Sequence, residues 1–345
     1  MRTRSLLAAV TALLALAVAA CGGASDTSGG GSTAASGKGS TKLSLVAYST
    51  PQVVYDQVIP GFQKTDAGKG VSFAQSYGAS GDQSRAVEDG LSADVVTFSL
   101  APDMDRLVGD GLVAKNWADN ANQGLVSKSV VTLVVRKGNP KNIHTWADLL
   151  KPGLSVLTPN PFTSGSAKWN LMAAYGAESN GGKDPQAGLN YLDQLITKHV
   201  KVQDKSGREA LQDFVSGNGD VLLSYENEAI TAQKKGESVD YVTPDKTILI
   251  ENPIAVVDKS KHAAQANAFV KYALSPAAQQ QFADWGYRPV DKAVFQKNAS
   301  KFPTPPGLFT IRDLGGWDKV NTEFFDPDKG SVAKIEQSAG VSTAK

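Results

Sequence analysis

Four times in this chain a short β-branched run ends in a turn that carries a serine and then opens a helical pattern. Leu43 to Ala47 leads into Ser49-Thr50-Pro51-Gln52 and the helix-like stretch Val53 to Phe62. Val71 to Gln75 leads into Ser80-Gly81-Asp82-Gln83 and then Ser84 to Leu91. Leu154 to Leu157 leads, after Pro159 and Pro161, into Thr163-Ser164-Gly165-Ser166 and Ala167 to Tyr175. Val200 to Gln203 leads into Ser206-Gly207-Arg208-Glu209 and Ala210 to Val215. Further β-branched runs stand at Val95 to Phe98, Val130 to Arg136, Val221 to Ser224 and Ile248 to Val257. Strands alternating with amphipathic helices require mostly parallel sheets with helices on their faces, an α/β architecture.

Serine is a favoured N-cap, and Gln52, Gln83 and Glu209 each follow their serine by three residues, the spacing of a capping box. Thr50 with Pro51 at the first helical position is an alternative start for the first helix. A helix start leaves N–H groups without intrahelical partners and carries partial positive charge, so it holds anions. In α/β sheets such turns lie at the carboxyl ends of strands, where ligands bind. Glycines 81, 165 and 207 would let backbone approach a small ligand closely. Serine also caps helices for purely structural reasons, so the pattern alone leaves both a small-anion site and ordinary capping open.

Two long strand-like runs, Ser127 to Lys137 and Lys246 to Asp258, the second interrupted by Pro253, suit connections that cross between two α/β lobes. The alternative is that both are central strands of one large sheet. About 300 residues follow position 42, enough for two domains of ordinary size.

The amino-terminal end reads as a targeting segment. Arg2 and Arg4 precede an apolar run from Leu6 to Ala20, shorter than the roughly 20 residues a membrane-spanning helix needs. Val18-Ala19-Ala20-Cys21 has the small residues of a bacterial lipoprotein cleavage site, and Cys21 is the sole cysteine, so it has no internal disulfide partner. Residues 22 to 42 are nearly all Gly, Ser, Thr, Ala, Asp and Lys, a composition with no apolar surface to bury. The expectation is a signal peptide over 1–20 and a lipidated Cys21 with a flexible tether over 21–42. An ordinary cleaved signal that happens to contain a cysteine is the other reading.

With 35 basic and 34 acidic side chains, the chain is nearly neutral and has no basic stripe suited to nucleic acid. An enzyme is the rival class. His144, His199 and His262 are scattered without metal-ligand spacing, and no G-x-S-x-G elbow occurs. Glu226 and Glu228 could pair as catalytic carboxylates, or lie at a cleft edge or hinge.

The same serine turns carry a family resemblance. Ser76-Tyr77-Gly78-Ala79-Ser80-Gly81-Asp82-Gln83, Ala93-Asp94-Val95-Val96-Thr97, Val135-Arg136-Lys137-Gly138-Asn139-Pro140, Thr163-Ser164-Gly165-Ser166-Ala167-Lys168-Trp169-Asn170, Tyr225-Glu226-Asn227-Glu228-Ala229 and Phe324-Phe325-Asp326-Pro327 resemble bacterial sulfate-binding proteins of sulfate/thiosulfate ABC importers. The likeness runs in order from about residue 43 to about residue 336. It implies a periplasmic-binding-protein fold of the second type: two lobes, each a mixed, mostly parallel sheet flanked by helices, closing on a sulfate. One lobe would comprise 43–127 with 250–345 and the other 128–249, with room for the carboxyl-terminal helices to pack on the second lobe. Carried over by motif, the ligand-binding positions are Ser49, Ser80, Ser164, Gly165, Ser166, Ser206 and Tyr225, with no cofactor and no metal. The implied partners are sulfate or thiosulfate, importer permease and ATPase subunits, and the membrane through lipid on Cys21. A monomer outside the cytoplasm is expected.

Such a pocket would select by offering donors only. Sulfate accepts hydrogen bonds and gives none, whereas a protonated phosphate needs an acceptor, and a buried polar group left unpaired costs about 1–3 kcal/mol. Three positions depart from the family pattern. Tyr225 stands for tryptophan, and a phenol can accept as well as donate. Ser166 stands for glycine. Asp82 stands for lysine, and its carboxylate is expected to point to solvent. Trp169 follows the Ser164 turn closely enough for its fluorescence to report closure of the lobes.

Overall fold

The computed structural model describes residues 41–343, so the expected signal peptide, Cys21 and nearly all of the tether lie outside the described residues. The first stretch contains β1 (Thr41–Tyr48), α1 (Gln52–Gln63), β2 (Val71–Gly78), α2 (Ser80–Glu88), β3 (Val95–Thr97) and α3 (Ala101–Gly109). A middle stretch follows with β4 (Leu125–Arg136), β5 (Val156–Leu157), α4 (Gly165–Glu178), α5 (Pro185–Gln194), β6 (Val200–Val202), α6 (Gly207–Val215), β7 (Val221–Tyr225), α7 (Glu226–Lys234) and β8 (Val239–Val242). Then come β9 (Lys246–Val256), α8 (Ala263–Ala273), α9 (Pro276–Asp284), β10 (Arg288–Pro289), α10 (Lys292–Lys297), β11 (Gly307–Phe309), α11 (Gly316–Phe324) and α12 (Ser331–Ser338).

Strands pair in the order β2-β1-β3-β9-β4-β7-β5-β6. β1 is parallel to both β2 and β3, and β5 is parallel to both β6 and β7. The two long runs are antiparallel partners at the middle of this path, Val130 opposite Leu249 and Ser127 opposite Asn252. Each strand then changes neighbours. Residues 254–256 of β9 turn to β3, and residues 131–135 of β4 turn to β7. Pro253 sits where β9 leaves β4 for β3. It lacks a donor, but its carbonyl accepts from Phe98 N at 3.1 Å and Thr97 Oγ1 at 2.9 Å. Both long strands therefore run from one parallel group to the other.

Each group has its own core. Beside β1 and β2 lies an aromatic cluster, with Phe62 and Phe269 rings 5.4 Å apart and Phe73 and Phe269 4.8 Å apart. The other core is built around α4, whose residues from Gly165 to Ala177 are nearly all buried. A helix apolar on all sides belongs in an interior, and this burial carries the start of α4 deep into the molecule. Val320, Phe324 and Val332 of α11 and α12 join that core, Phe324 meeting Tyr175 edge to face at 4.7 Å. Burying each such side chain stabilises the fold by about 1.5–3 kcal/mol.

Candidate functional site

Helix starts converge where the strands of both groups end. Two of the serines expected to be caps are caps. Ser206 makes the full capping box: its Oγ accepts from Glu209 N at 3.3 Å, and its N–H donates to Glu209 Oε2 at 3.0 Å. Ser164 is the N-cap of α4, but its Oγ pairs with Ser166 Oγ at 2.7 Å instead of capping the backbone. Ser166, the added hydroxyl, thus caps nothing and stands against the next turn, since a Cβ on Gly207 would meet its Oγ at 2.8 Å.

The other two serines are not caps. Pro51 takes the cap position of α1 with φ −80 and ψ 4, which leaves Ser49 in a half-buried bend before it. Ala79 in extended conformation caps α2, so Ser80 is the first helical residue. The Ser80 hydroxyl donates to Asp103 Oδ2 at 2.6 Å and accepts from Ser99 N at 2.9 Å. The Ser80 hydroxyl is therefore engaged within the protein on both counts. Gln83 takes no part in a capping box; its Oε1 accepts from Ser76 Oγ at 3.1 Å.

Contacts between distant residues bring the turns together. Gly81 N donates to Thr163 O at 3.1 Å, joining the starts of α2 and α4. Arg208 Nη2 donates to Thr50 O at 2.7 Å, joining the start of α6 to the Ser49 turn. Its guanidinium also grips Glu228 at 3.0 Å and 3.2 Å. Burial would lower the Arg208 guanidinium, but the Glu228 carboxylate overrides it and holds the pKa up. Ser80, Ser164, Ser166, Ser206 and Tyr225 are all buried, at 5% exposure or less. Tyr225 is the N-cap of α7, and its hydroxyl lies 2.7 Å from Ser99 Oγ. Burial pushes the phenol well up, so it keeps its proton at neutral pH.

Ser99, which the motif reading missed, is bonded to two of the candidate residues, Ser80 and Tyr225. Besides Ser80 and Tyr225, it meets Trp169 Nε1 and Asn252 Nδ2, which donate to its carbonyl at 2.9 Å and 3.0 Å. The signal was present, because Ser99 follows the run Val95 to Phe98 just as the other four serines follow theirs. Asp103 was also missed. Burial raises its carboxyl, while the Ser80 hydroxyl and the charges of Lys168, Arg106 and Arg85 pull it back.

Asp82 does not simply point to solvent. It is ion-paired with Arg85 on its own helix and with Lys205 at 3.5 Å, its charge met from two sides. Glu226 and Glu228 are buried, and each is bound to its own arginine. Glu226 accepts from Arg288 at 2.7 Å and 3.0 Å, burial raising its carboxyl against the pull of Arg288. The two arginines therefore occupy both carboxylates. His199 Nδ1 lies 3.1 Å from Leu154 O, and His144 Nε2 lies 2.8 Å from Asn142 Oδ1. Among the described residues no group of three His, Cys, Asp or Glu could hold a metal ion.

The helix starts thus gather between two strand groups joined by crossing strands, an arrangement that comparison with known proteins assigns to a class. Residues 43–288 match the family model of bacterial extracellular solute-binding proteins, and the chain belongs to that family. It is 42% identical over 340 residues to a sulfate-binding protein of Synechococcus elongatus, covering 96% of this chain and 95% of that one. It is 36% identical over 294 residues to a thiosulfate-binding protein of Pseudomonas aeruginosa, 81% of this chain and 88% of that one. The solved structure of the sulfate-binding protein SubI from Mycobacterium tuberculosis H37Rv superimposes with a TM-score of 0.82 at 51% identity, covering 83% of this chain and all of that one. A periplasmic thiamin-binding protein at 18% identity shares the fold, with a TM-score of 0.67. The fold is the two-lobed type II arrangement of periplasmic binding proteins.

Proposed function

We propose that this chain captures sulfate outside the cytoplasm and delivers it to an ABC importer, acting as a carrier rather than an enzyme. The observation that carries the reading is the convergence of buried helix starts bearing neutral donors, at Ser80, at Ser164-Gly165-Ser166, at Ser206 and at Tyr225. Aligned N–H groups stabilise a dianion without a free counter-cation. Relatives named for sulfate and thiosulfate support the same class of ligand.

In this reading Ser49, Ser80, Ser164, Gly165, Ser166, Ser206 and Tyr225 line the site between a lobe of 43–127 with 250–345 and a lobe of 128–249, on whose core α11 and α12 pack. Lipid on Cys21 tethers a monomer to the membrane, and permease and ATPase subunits receive it. Thiosulfate, of the same charge and similar shape, is the second ligand. Titration calorimetry of the purified chain with sulfate, thiosulfate, molybdate and phosphate tests the proposal. Tight one-to-one sulfate binding is expected, and silence toward sulfate with a response to another anion would overturn it.

A further inference from the structure

Tyr225 poses a chemical problem in a site that selects by donating, because a phenol can turn its lone pair as well as its proton toward a ligand. Its hydroxyl lies 2.7 Å from Ser99 Oγ, and either oxygen can donate. Both residues are 1% exposed, and among the described residues neither hydroxyl has a second hydrogen-bond partner. One proton lies inside the pair and the other must leave it. The Ser99 hydroxyl stands beside the start of α4, where a Cβ built on Gly165 would meet Ser99 Oγ at 2.9 Å. With the Ser99 proton placed inside the pair, the phenol keeps its own proton free to give.

The rest of Ser99 is immobilised. Its N–H is given to Ser80 Oγ, and its carbonyl receives Trp169 Nε1 and Asn252 Nδ2. The backbone of Ser99 is thus held beside Tyr225 by three elements, α2, α4 and β9.

We infer that Ser99 is a specificity-determining residue: its hydroxyl donates into Tyr225 Oη, fills the phenol's acceptor position and leaves Tyr225 a donor only. This rests on the reading of Tyr225 as a ligand-facing residue of an anion site. It gives the pair the hydrogen-bonding character of an indole N–H, and an anion that keeps a proton finds no acceptor there. Ser99 touches no ligand in this account and acts through Tyr225, so it is a positioning residue.

The test is titration of sulfate and phosphate into the purified protein and its Ser99→Ala variant, at an alkaline pH where phosphate keeps one proton and an acidic pH where it keeps two. The expected result is a fall of about tenfold in the ratio of sulfate to phosphate affinity in Ser99→Ala, larger at the acidic pH. In a Tyr225→Phe background the same substitution is expected to leave the ratio unchanged. An unchanged ratio in Ser99→Ala beside a selective parent overturns the inference and leaves the sulfate reading standing. So does an effect that persists without the phenol, which would be one of packing. A parent that ignores sulfate overturns both. Should Ser99→Ala fail to fold, Ser99→Cys, close in size and a weak donor, carries the same comparison.

Discussion

Glu336 on α12 should make the stability of this protein fall as pH rises through neutrality. Its side chain is fully buried, and Gln203 Nε2 donates to its Oε2 at 2.6 Å. The remaining oxygens of the two groups, Gln203 Oε1 and Glu336 Oε1, are buried without a partner. A proton on Glu336 removes the conflict, since the acid can then donate toward the amide oxygen. Burial accordingly pushes its carboxyl from 4.5 up to about 7, with Gln203 pulling the other way. Below the unfolded value both states hold the proton and nothing is lost. Between the two values the unfolded chain releases a proton that the native state keeps, so stability declines. Above the folded value the native state carries a buried carboxylate, a loss of about 3 kcal/mol at about 1.4 kcal/mol per pKa unit. Glu336→Gln removes the charge and supplies a donor for Gln203 Oε1. Urea unfolding between about pH 4 and about pH 8 should show the parent losing about 3 kcal/mol relative to the variant. Parallel stability profiles for the two proteins would refute the reasoning.

Other consequences are sharper at the site. Arg288→Ala leaves Glu226 buried without its partner and should cost about 3–5 kcal/mol in chemical unfolding, whereas replacing both with apolar residues of similar volume should cost far less. Gly165→Ala places a Cβ 2.7 Å from Leu100 Cδ2 and 2.9 Å from Ser99 Cβ, so α4 must shift away; calorimetry should show sulfate affinity reduced by tenfold or more, about 1.4 kcal/mol. Trp169, hydrogen-bonded to Ser99 O and edge-on to Trp317, should carry the ligand-induced fluorescence change, which Trp169→Phe removes and Trp285→Phe keeps.

Periodicity in the sequence was enough to locate β1 to β7 and β9 and the helices α1, α2, α4 and α6, because β-branched runs and amphipathic stretches are local properties; β8, β10 and β11, of two to four residues, are too short to show a period. The capping box at Ser206 was equally legible, since Glu209 and Ser206 are three residues apart. At Ser80 the same spacing misled. Whether a serine caps depends on where the backbone leaves the extended region, and Ala79 does so one residue earlier while Asp103 draws the hydroxyl away. Long-range partners were out of reach of any local pattern: Arg208 with Thr50, Ser99 with Tyr225, and Glu226 with Arg288 are brought together only by the folded strands. Asp82 shows the same limit, because the expectation of a solvent-facing carboxylate could not foresee Lys205 across from it.

The central claim is that neutral donors at helix starts hold a tetrahedral dianion between the lobes. Selenate is a close isostere of sulfate and scatters anomalously, so a crystal of the protein grown with it tests that claim most directly. The account predicts one strong anomalous peak among residues 80, 164–166, 206 and 225, within hydrogen-bond distance of backbone N–H and hydroxyl groups and with no lysine, arginine or metal against it. A peak elsewhere, or one held by a charged side chain, would contradict it.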